Sequence, residues 1–213
     1  MTTANQDLNI LRFMPKEYDD DWQQCFLEAI DGIPFAPYKT AGQKGQGVTE
    51  DMYWDEKLLM KADPEEPNSF CCGAVMEVLI RGLEKCPLYG LGVTHEMLRK
   101  LIPWAFVYEA KHRRGIAEGM VKLGMGDWVD DVTQARLGDL AQIEGIKFNG
   151  DYDDGHTVAI LGTGVRNGKP VVWSFSSTTG VNPAGHAVDW HWMFKSRNGY
   201  SRKWHIARPK LSF

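Results

Sequence analysis

Two short segments carry most of the information on the fold, NSFCCG at residues 68–73 and GHTVAILG at residues 155–162. The first segment stands directly before an amphipathic stretch and predicts the beginning of a helix. The second is a histidine followed by an apolar run, which predicts a buried strand. A thiol at a helix N-terminus, followed in sequence by a histidine on a strand, is typical of proteins that use cysteine as a nucleophile. The order of the two segments therefore predicts attack of a thiolate on an acyl or amide carbon.

The two cysteines occupy different positions on the predicted helix, which extends from Ser69, its expected cap, to about Lys85. At about 100° per residue, Cys72 falls in the middle of the apolar stripe and Cys71 lies at its edge. We therefore expect Cys72 in the core and Cys71 facing a cleft. Taken alone, Cys-Cys-Gly at a helix start is more often a packing feature, and Gly73 would leave room for a substrate backbone.

The first helical turn favours a thiolate at Cys71, because unpaired N–H groups and the positive end of the helix dipole lie there. The same main-chain N–H groups, of Cys71 and Cys72, are candidates to hold a developing oxyanion. This arrangement predicts that Cys71 is the nucleophile.

His156 is the strongest candidate for the general base that would activate Cys71. An imidazole on a buried strand gains nothing from its position unless it has a partner. His186 also follows a glycine and is the main alternative for the base. His191 and His205 lie in tryptophan-rich strands, where packing with a polar tip outward is the simpler interpretation.

A general base also needs a group that holds its second ring nitrogen. The loop predicted at residues 162–170 contains Asn-Gly and indicates a hairpin. If Leu161 pairs with Val171 across this hairpin, Ser176 faces His156, and its hydroxyl becomes a modest orienting group. A register slip would substitute a neighbouring serine.

Helical patterns precede strand patterns along the chain, which predicts an α+β fold with helices packed on an antiparallel sheet. The predicted helices are Asp19 to Ile30, Thr49 to Lys61, Ser69 to Lys85, and a stretch from Thr94 to about Gly124 that is kinked or split near Pro103. The predicted strands are Leu140 to Ile143, Thr157 to Leu161, Val171 to Phe175, Ala187 to Phe194 and Lys203 to Arg208. We expect an N-terminal helical extension at residues 1–66 and a catalytic domain at residues 67–213, together forming one compact unit.

Composition narrows the function classes. The chain has 213 residues, 43% of them hydrophobic, and a net charge of −4, which gives no electrostatic case for a nucleic acid or membrane partner. Its four cysteines show no CxxC spacing and no HExxH is present, so we expect no metal and no cofactor.

Neither a secretory signal nor a membrane-spanning run is predicted. A cytoplasmic or phage-borne location, or export by another route, remains open.

The residues FCCG (70–73), ARLGDL (135–140) and GHTVAILG (155–162) together resemble a known family. They are similar to the NlpC-type and related cysteine, histidine-dependent amidohydrolase/peptidase enzymes, which are papain-like cell-wall hydrolases. The resemblance covers about half the chain. It implies a papain-like domain without a cofactor, with Cys71 as nucleophile, His156 as base, and Gly138-Asp139 opening the strand before the histidine. The family's third polar residue is commonly His, Asn, Gln or Asp, whereas the predicted position here is Ser176.

The resemblance implies a cysteine peptidase or amidase that cleaves amide bonds in the stem peptides of bacterial peptidoglycan. Two alternatives stay open at the level of the sequence. One is an acyltransferase or thioesterase on the same fold, which a hydrophobic trench near Cys71 would favour. The other is a catalytically silent binding domain. An effector held by an inhibitor or immunity protein would also fit the chain.

Overall fold

The computed structural model describes residues 21–39, 45–107, 112–147, 152–179, 183–193, 196–197 and 200–210. Helices in these residues are α1 (Asp21–Asp31), α2 (Cys71–Lys85), α3 (Pro87–Gly90), α4 (His95–Ala105) and α5 (Gly115–Lys122). The strands are β1 (Met52–Trp54), β2 (Lys57–Met60), β3 (Gly126–Val129), β4 (Leu140–Lys147), β5 (Tyr152–Arg166), β6 (Lys169–Thr178), β7 (Gly185–Trp192), β8 (Ser196–Arg197) and β9 (Tyr200–Pro209). A 3₁₀ turn spans Val132–Gln134.

The predicted α+β class is confirmed, since helices precede an antiparallel sheet along the chain. The strand order in the sheet is β3-β9-β4-β5-β6-β7, and β8 pairs with β9. Helix α2 packs on β5 and β6, while α1 packs on α2. The indole nitrogen of Trp22 in α1 donates to the main-chain oxygen of Gly138, 3.0 Å away, so α1 is also bonded to the start of β4.

The core lies between α2 and the sheet, as the periodicity of the helix predicted. The stripe predicted for this helix was Cys72, Val75, Met76, Leu79 and Leu83, and all but Cys72 are buried. Cys72, which was expected in the core, is only half-buried. The four buried side chains share one apolar cluster with Ala159, Leu161 and Phe175 of the sheet. Ile143, Val158 and Ile160 belong to a second cluster, because alternate residues of a strand point to opposite faces.

The helix predicted at residues 49–61 is wrong, because this segment forms the β1–β2 hairpin. Asp55 and Glu56 adopt φ of 50° and 61°, the left-handed conformation that a two-residue hairpin turn requires. The hairpin is bonded to the chain before α4, since the Trp54 indole nitrogen donates to the Val93 oxygen at 3.1 Å.

The predicted register of the β5–β6 hairpin is also wrong. Asn167 and Gly168 have φ of 51° and 71° and form a two-residue turn, so the strands pair from Arg166 and Lys169 onward instead of leaving residues 162–170 as a loop. An irregularity between Ile160 and Gly162 shifts the register once more.

Val171 consequently pairs with Gly164, not with Leu161. Extending the pairing of Ala159 with Phe175 by three residues brings His156 level with Thr178. Ser176 therefore does not face His156 across the hairpin.

The long helical stretch predicted from Thr94 is split into two helices, α4 and α5. This is one of the two predicted alternatives, a kinked or a split helix. Thr94 caps α4, because its hydroxyl accepts a hydrogen bond from the Met97 N–H at 3.2 Å. Pro103 lies inside the last turn of α4, which ends at Ala105. Asp19, where the first helix was expected to begin, lies outside the described residues, and α1 begins at Asp21.

Candidate active site

Helix α2 begins at Cys71, and its first turn has no capping side chain. The N-cap is Phe70, not the predicted Ser69. The Ser69 hydroxyl lies 3.0 Å from the Ala36 oxygen and 2.6 Å from the Ser177 hydroxyl, so it bonds the helix start to β6 instead. Because Phe70 offers no side-chain acceptor, the N–H groups of the first turn are left for a negatively charged group near Cys71.

Gly73 serves the packing of the chain itself. A Cβ at Gly73 would lie 2.1 Å from the Gly47 oxygen, so the loop before β1 occupies the space that we expected a substrate to approach. Gly47 has φ of +67°, and a Cβ there would overlap the Phe70 ring. The two glycines allow this loop to cross directly over the start of α2.

The buried Glu77 of α2 holds the loop before β1 in place through hydrogen bonds. Its carboxylate accepts hydrogen bonds from the Thr49 N–H at 2.8 Å and from the Thr49 hydroxyl. Arg81 donates to it through Nε at 3.0 Å and through Nη2 at 2.8 Å. Glu77 is therefore a buried charge whose partners are all in place, and its role is structural.

Cys71 is ionised more readily than an ordinary cysteine. A hydrogen bond from Cys72 is the largest influence that holds the pKa of Cys71 well below its usual value. Burial acts in the opposite direction, but a hydrogen bond from the His156 imidazole, the charge of that ring and the Thr157 N–H lower the pKa further. These contacts bring the predicted nucleophile and the predicted base together, at the point where α2 meets β5.

Cys72 has the opposite character, although it is the next residue. Its sulfur lies 3.7 Å from the Cys71 sulfur and 3.4 Å from the Thr157 hydroxyl oxygen. That hydroxyl donates to the Gln142 side-chain oxygen at 2.8 Å. Its hydrogen bond with Cys71, then burial and the Cys71 charge raise the pKa of Cys72 well above its usual value. The two pKa values thus shift in opposite directions, and Cys71 is the thiol of the pair that ionises first.

His191 of β7 lies beside His156, with ring centroids 5.5 Å apart in an edge-to-face arrangement. Its Nδ1 is 3.3 Å from Nη1 of Arg202. Because a guanidinium can only donate, Nδ1 accepts and Nε2 carries the hydrogen. Burial, followed by the charges of His156 and Arg202, lowers the pKa of His191 to about 3, so the ring is neutral.

The curvature of the sheet explains how His191 reaches this site. Strands β7 and β9 are not neighbours in the sheet, yet the His191 ring contacts Arg202 and Trp204 of β9. The Trp204 indole nitrogen also donates to the Met193 oxygen at 3.1 Å. The sheet therefore curls until β7, at one edge, contacts β9, the second strand from the other edge. Sequence reasoning missed His191, because strand periodicity carries no signal for this closure.

Ser176 and His186, the other two candidates, occupy different environments. The Ser176 hydroxyl donates to the main-chain oxygen of Thr157 at 2.7 Å, so it bonds to the backbone next to His156. His186 is buried with Nδ1 3.2 Å from the Pro34 oxygen, and burial lowers its pKa to about 4. Neither side chain lines the cavity that contains Cys71.

Gly138-Asp139, the middle motif, supports the fold. The Arg208 guanidinium donates to both carboxylate oxygens of Asp139, at 2.9 Å and 3.0 Å. The Asp139 backbone is bonded to Ile160 of β5. The motif thus connects the start of β4 to β5 and β9, and it makes no contact with Cys71 among the described residues.

A cavity of about 400 Å³ opens on Cys71 and His156. Its wall is polar and aromatic, with one carboxylate, one guanidinium, two histidines and the rings of a tyrosine and a tryptophan. The lining residues include Tyr38, Ser177, Thr178, Thr179, Asp189, Trp190, His191 and Arg202. Asp189 accepts a hydrogen bond from its neighbour's N–H at 2.7 Å. The cavity suits a polar ligand better than an acyl chain.

No protein-family model, no curated protein and no solved structure matches this chain. Among the described residues, no three His, Cys, Asp or Glu side chains are grouped so as to hold a metal ion. No described helix has the length and apolar character needed to cross a membrane. The geometry around Cys71 is therefore the basis for assigning a function.

We predict that Cys71 is alkylated by iodoacetamide at about pH 7 almost as fast as at alkaline pH, because a lowered pKa leaves the thiolate populated there. Cys25 provides an internal control, since burial and then Cys86 raise its pKa to about 12. Peptide mapping by mass spectrometry after timed alkylation measures both rates. His156→Ala should move the Cys71 profile to higher pH. Equal rates at Cys71 and Cys25 near neutral pH would contradict an ionised Cys71.

We predict that Gly73→Ala destabilises the protein by about 1 to 3 kcal/mol, because the new methyl group would overlap the backbone of the crossing loop. Urea unfolding followed by circular dichroism measures the change. Glu84→Ala, at an exposed position of the same helix, is the matched control and should change stability little. A stable Gly73→Ala protein would mean that the loop does not pack on α2 in this way.

Proposed function

We propose that this protein is a cysteine hydrolase that cleaves amide or peptide bonds, with peptidoglycan stem peptides as its substrate class. One observation carries the proposal: the sulfur of Cys71, whose pKa is held low by Cys72 and His156, shares a polar cavity with the His156 imidazole. An ionised thiol next to an imidazole is the pair that thiol hydrolases need. The motifs around both residues, in the same order along the chain, support a place in the papain-like superfamily.

The proposed reaction begins with the thiolate of Cys71 and a protonated His156. The sulfur attacks the carbonyl carbon of the substrate amide, and the main-chain N–H groups of Cys71 and Cys72 hold the oxyanion. His156 donates its proton to the leaving amine as the carbon–nitrogen bond breaks. His156 then takes a proton from water, whose oxygen attacks the thioester carbon and releases the acid and the free thiolate.

His191 is proposed as the positioning residue for His156, the role for which Ser176 was the sequence-based candidate. Its ring packs edge-on against the His156 ring and is held in place by Arg202. A neutral ring at this position limits the movement of His156 without adding a second positive charge. Ser176, whose hydroxyl is bonded to the Thr157 oxygen, supports the strand instead.

The character of the cavity supports an amide substrate over a lipid one. Arg202 and Asp189 place opposite charges on its wall, and Tyr38 and Trp190 supply aromatic faces. Backbone amides and charged peptide groups find partners there, whereas an acyl chain would desolvate both charges without replacing their hydration. The acyltransferase alternative requires an apolar trench beside Cys71, and the described residues that line the cavity are mostly polar or aromatic.

We predict that Cys71→Ala and His156→Ala each lower the cleavage of stem-peptide or peptidoglycan substrates by at least about 1,000-fold, because each removes a reacting group. Cys25→Ser is the matched thiol control and should retain activity. Chromatography of the released peptides with mass detection measures the rate. Full turnover by Cys71→Ala would defeat the proposal.

The same assay separates the alternatives. Release of acyl groups from esters or thioesters, without cleavage of stem peptides, would assign the site to acyl transfer. A folded protein whose Cys71 shows no elevated reactivity would be a silent binding domain.

We predict that His191→Asn lowers kcat by about 10-fold or more and changes KM less, because the base loses its position while the substrate still binds. The pH dependence of kcat provides the second readout. A pKa of about 3 keeps His191 neutral above about pH 4, so any acid limb of the kcat profile above that pH does not belong to it. That limb should remain in the variant, and its loss would assign a direct proton-transfer role to His191.

A further inference from the structure

The adjacent thiols of Cys71 and Cys72 form a second chemical feature, besides the Cys71–His156 pair of the proposed hydrolysis. Their sulfurs are 3.7 Å apart, close to van der Waals contact, and both cysteines are free and partly exposed. Cys71 lines the cavity, so a small oxidant dissolved in the cavity can reach it. The geometry thus places a reactive sulfur directly beside a second sulfur able to bond with it.

We propose that Cys71 and Cys72 are a reversible oxidation site, at which hydrogen peroxide oxidises Cys71 and Cys72 then closes a disulfide between the two neighbours. The inference uses the ionised Cys71 on which the proposed function also rests, but it does not require hydrolysis. Its consequence for the proposed enzyme is that the nucleophile is masked under oxidising conditions and restored by a thiol reductant.

In the first step the Cys71 thiolate attacks one peroxide oxygen. The oxygen–oxygen bond breaks, Cys71 becomes a sulfenic acid, and hydroxide leaves and takes up a proton to become water. Peroxide supplies the oxidant, and the sulfur provides the electron pair. Selectivity follows from the thiolate, because protonated thiols such as Cys25 react slowly.

In the second step the Cys72 sulfur attacks the Cys71 sulfur and breaks its sulfur–oxygen bond. Hydroxide leaves and combines with the proton lost from Cys72, so two thiols and one peroxide give one disulfide and two waters. The first step prepares the second, because the bond with the Cys71 thiolate, then burial and the Cys71 charge raise the pKa of Cys72. Once Cys71 is an uncharged sulfenic acid, the first and the third of these influences disappear and Cys72 ionises more readily.

The disulfide would be easy to reduce. Neighbouring α-carbons are about 3.8 Å apart across a trans peptide, below the span of about 4.4 to 6.8 Å that unstrained disulfides prefer. Strained and exposed disulfides have the more oxidising potentials expected of labile, regulatory bonds. The first turn of α2 must change conformation to close the ring, and Phe70 supplies no capping side chain that would resist this change.

The test is peroxide treatment of the full chain, followed by blocking of free thiols and tryptic peptide mapping. Cys71 and Cys72 fall in one tryptic peptide, residues 62–81. We expect this peptide to lose about 2 mass units, and dithiothreitol to return its alkylation to the level of the untreated protein. In Cys72→Ser we expect sulfenic and then sulfinic acid at Cys71, which dithiothreitol does not reverse after the sulfinic stage.

Cys72→Ala is the second variant, and circular dichroism establishes which of the two is folded. The peptides that contain Cys25 and Cys86 should stay unmodified at the same peroxide dose. Over-oxidation of Cys71 in the wild type to the same extent as in the Cys72 variants would overturn the inference, as would a disulfide between two chains or equal oxidation of Cys25. A protein that closes this disulfide but cleaves no amide would keep the inference and lose the proposed function.

Discussion

The contact between the start of α2 and strands β5 and β6 assembles the whole candidate site. Ser69 bonds to Ser177 at one side of this contact, and Cys72 bonds to Thr157 at the other. Thr157 directly follows His156, so the second of these bonds fixes the distance between the helix and the base. Cys71 is the first helical residue and therefore lies where the strand presents its imidazole. The helix dipole and the histidine charge act on the same sulfur because one packing contact brings both to it.

The electrostatic division between the two cysteines follows from the same contact. Two thiols so close together cannot both ionise, since one negative charge disfavours the other. Cys71 faces His156 and the Thr157 N–H, while Cys72 faces the Thr157 hydroxyl. Local partners therefore select which sulfur carries the charge. The division suits catalysis and oxidation alike, because both reactions begin with one nucleophilic sulfur and a protonated neighbour.

Local patterns in the sequence predicted many of the helices and strands. The 3.6-residue period located α2 and separated Cys71 from Cys72, and the apolar run after His156 located β5. Predictions failed where a left-handed backbone conformation or a distant contact controlled the outcome. Asp55 and Glu56 adopt left-handed conformations that neither residue signals strongly.

The position of Ser69 and the recruitment of His191 depend on partners more than 100 residues or several strands away. The candidate nucleophile and base could thus be predicted from the sequence, because each lies in a segment with its own periodicity. The group beside His156 could not, since the curvature of the sheet brings it there.

Buried polar groups among the described residues fall into two kinds, those with all partners in place and those without. Glu77 and Asp139 are fully buried carboxylates, and both are bonded to an arginine and to main-chain N–H groups. Such satisfied charges stabilise a fold. Around Cys71 two groups depart from this rule, since the start of α2 has no capping side chain and Nε2 of the buried His191 has no partner among the described residues. Unsatisfied groups destabilise a protein and persist where they do chemistry. The His191 nitrogen and the uncapped helix start both lie at the polar cavity that contains the candidate nucleophile and base, whereas the unpartnered atoms of Asn68, Ser174 and His186 do not line it.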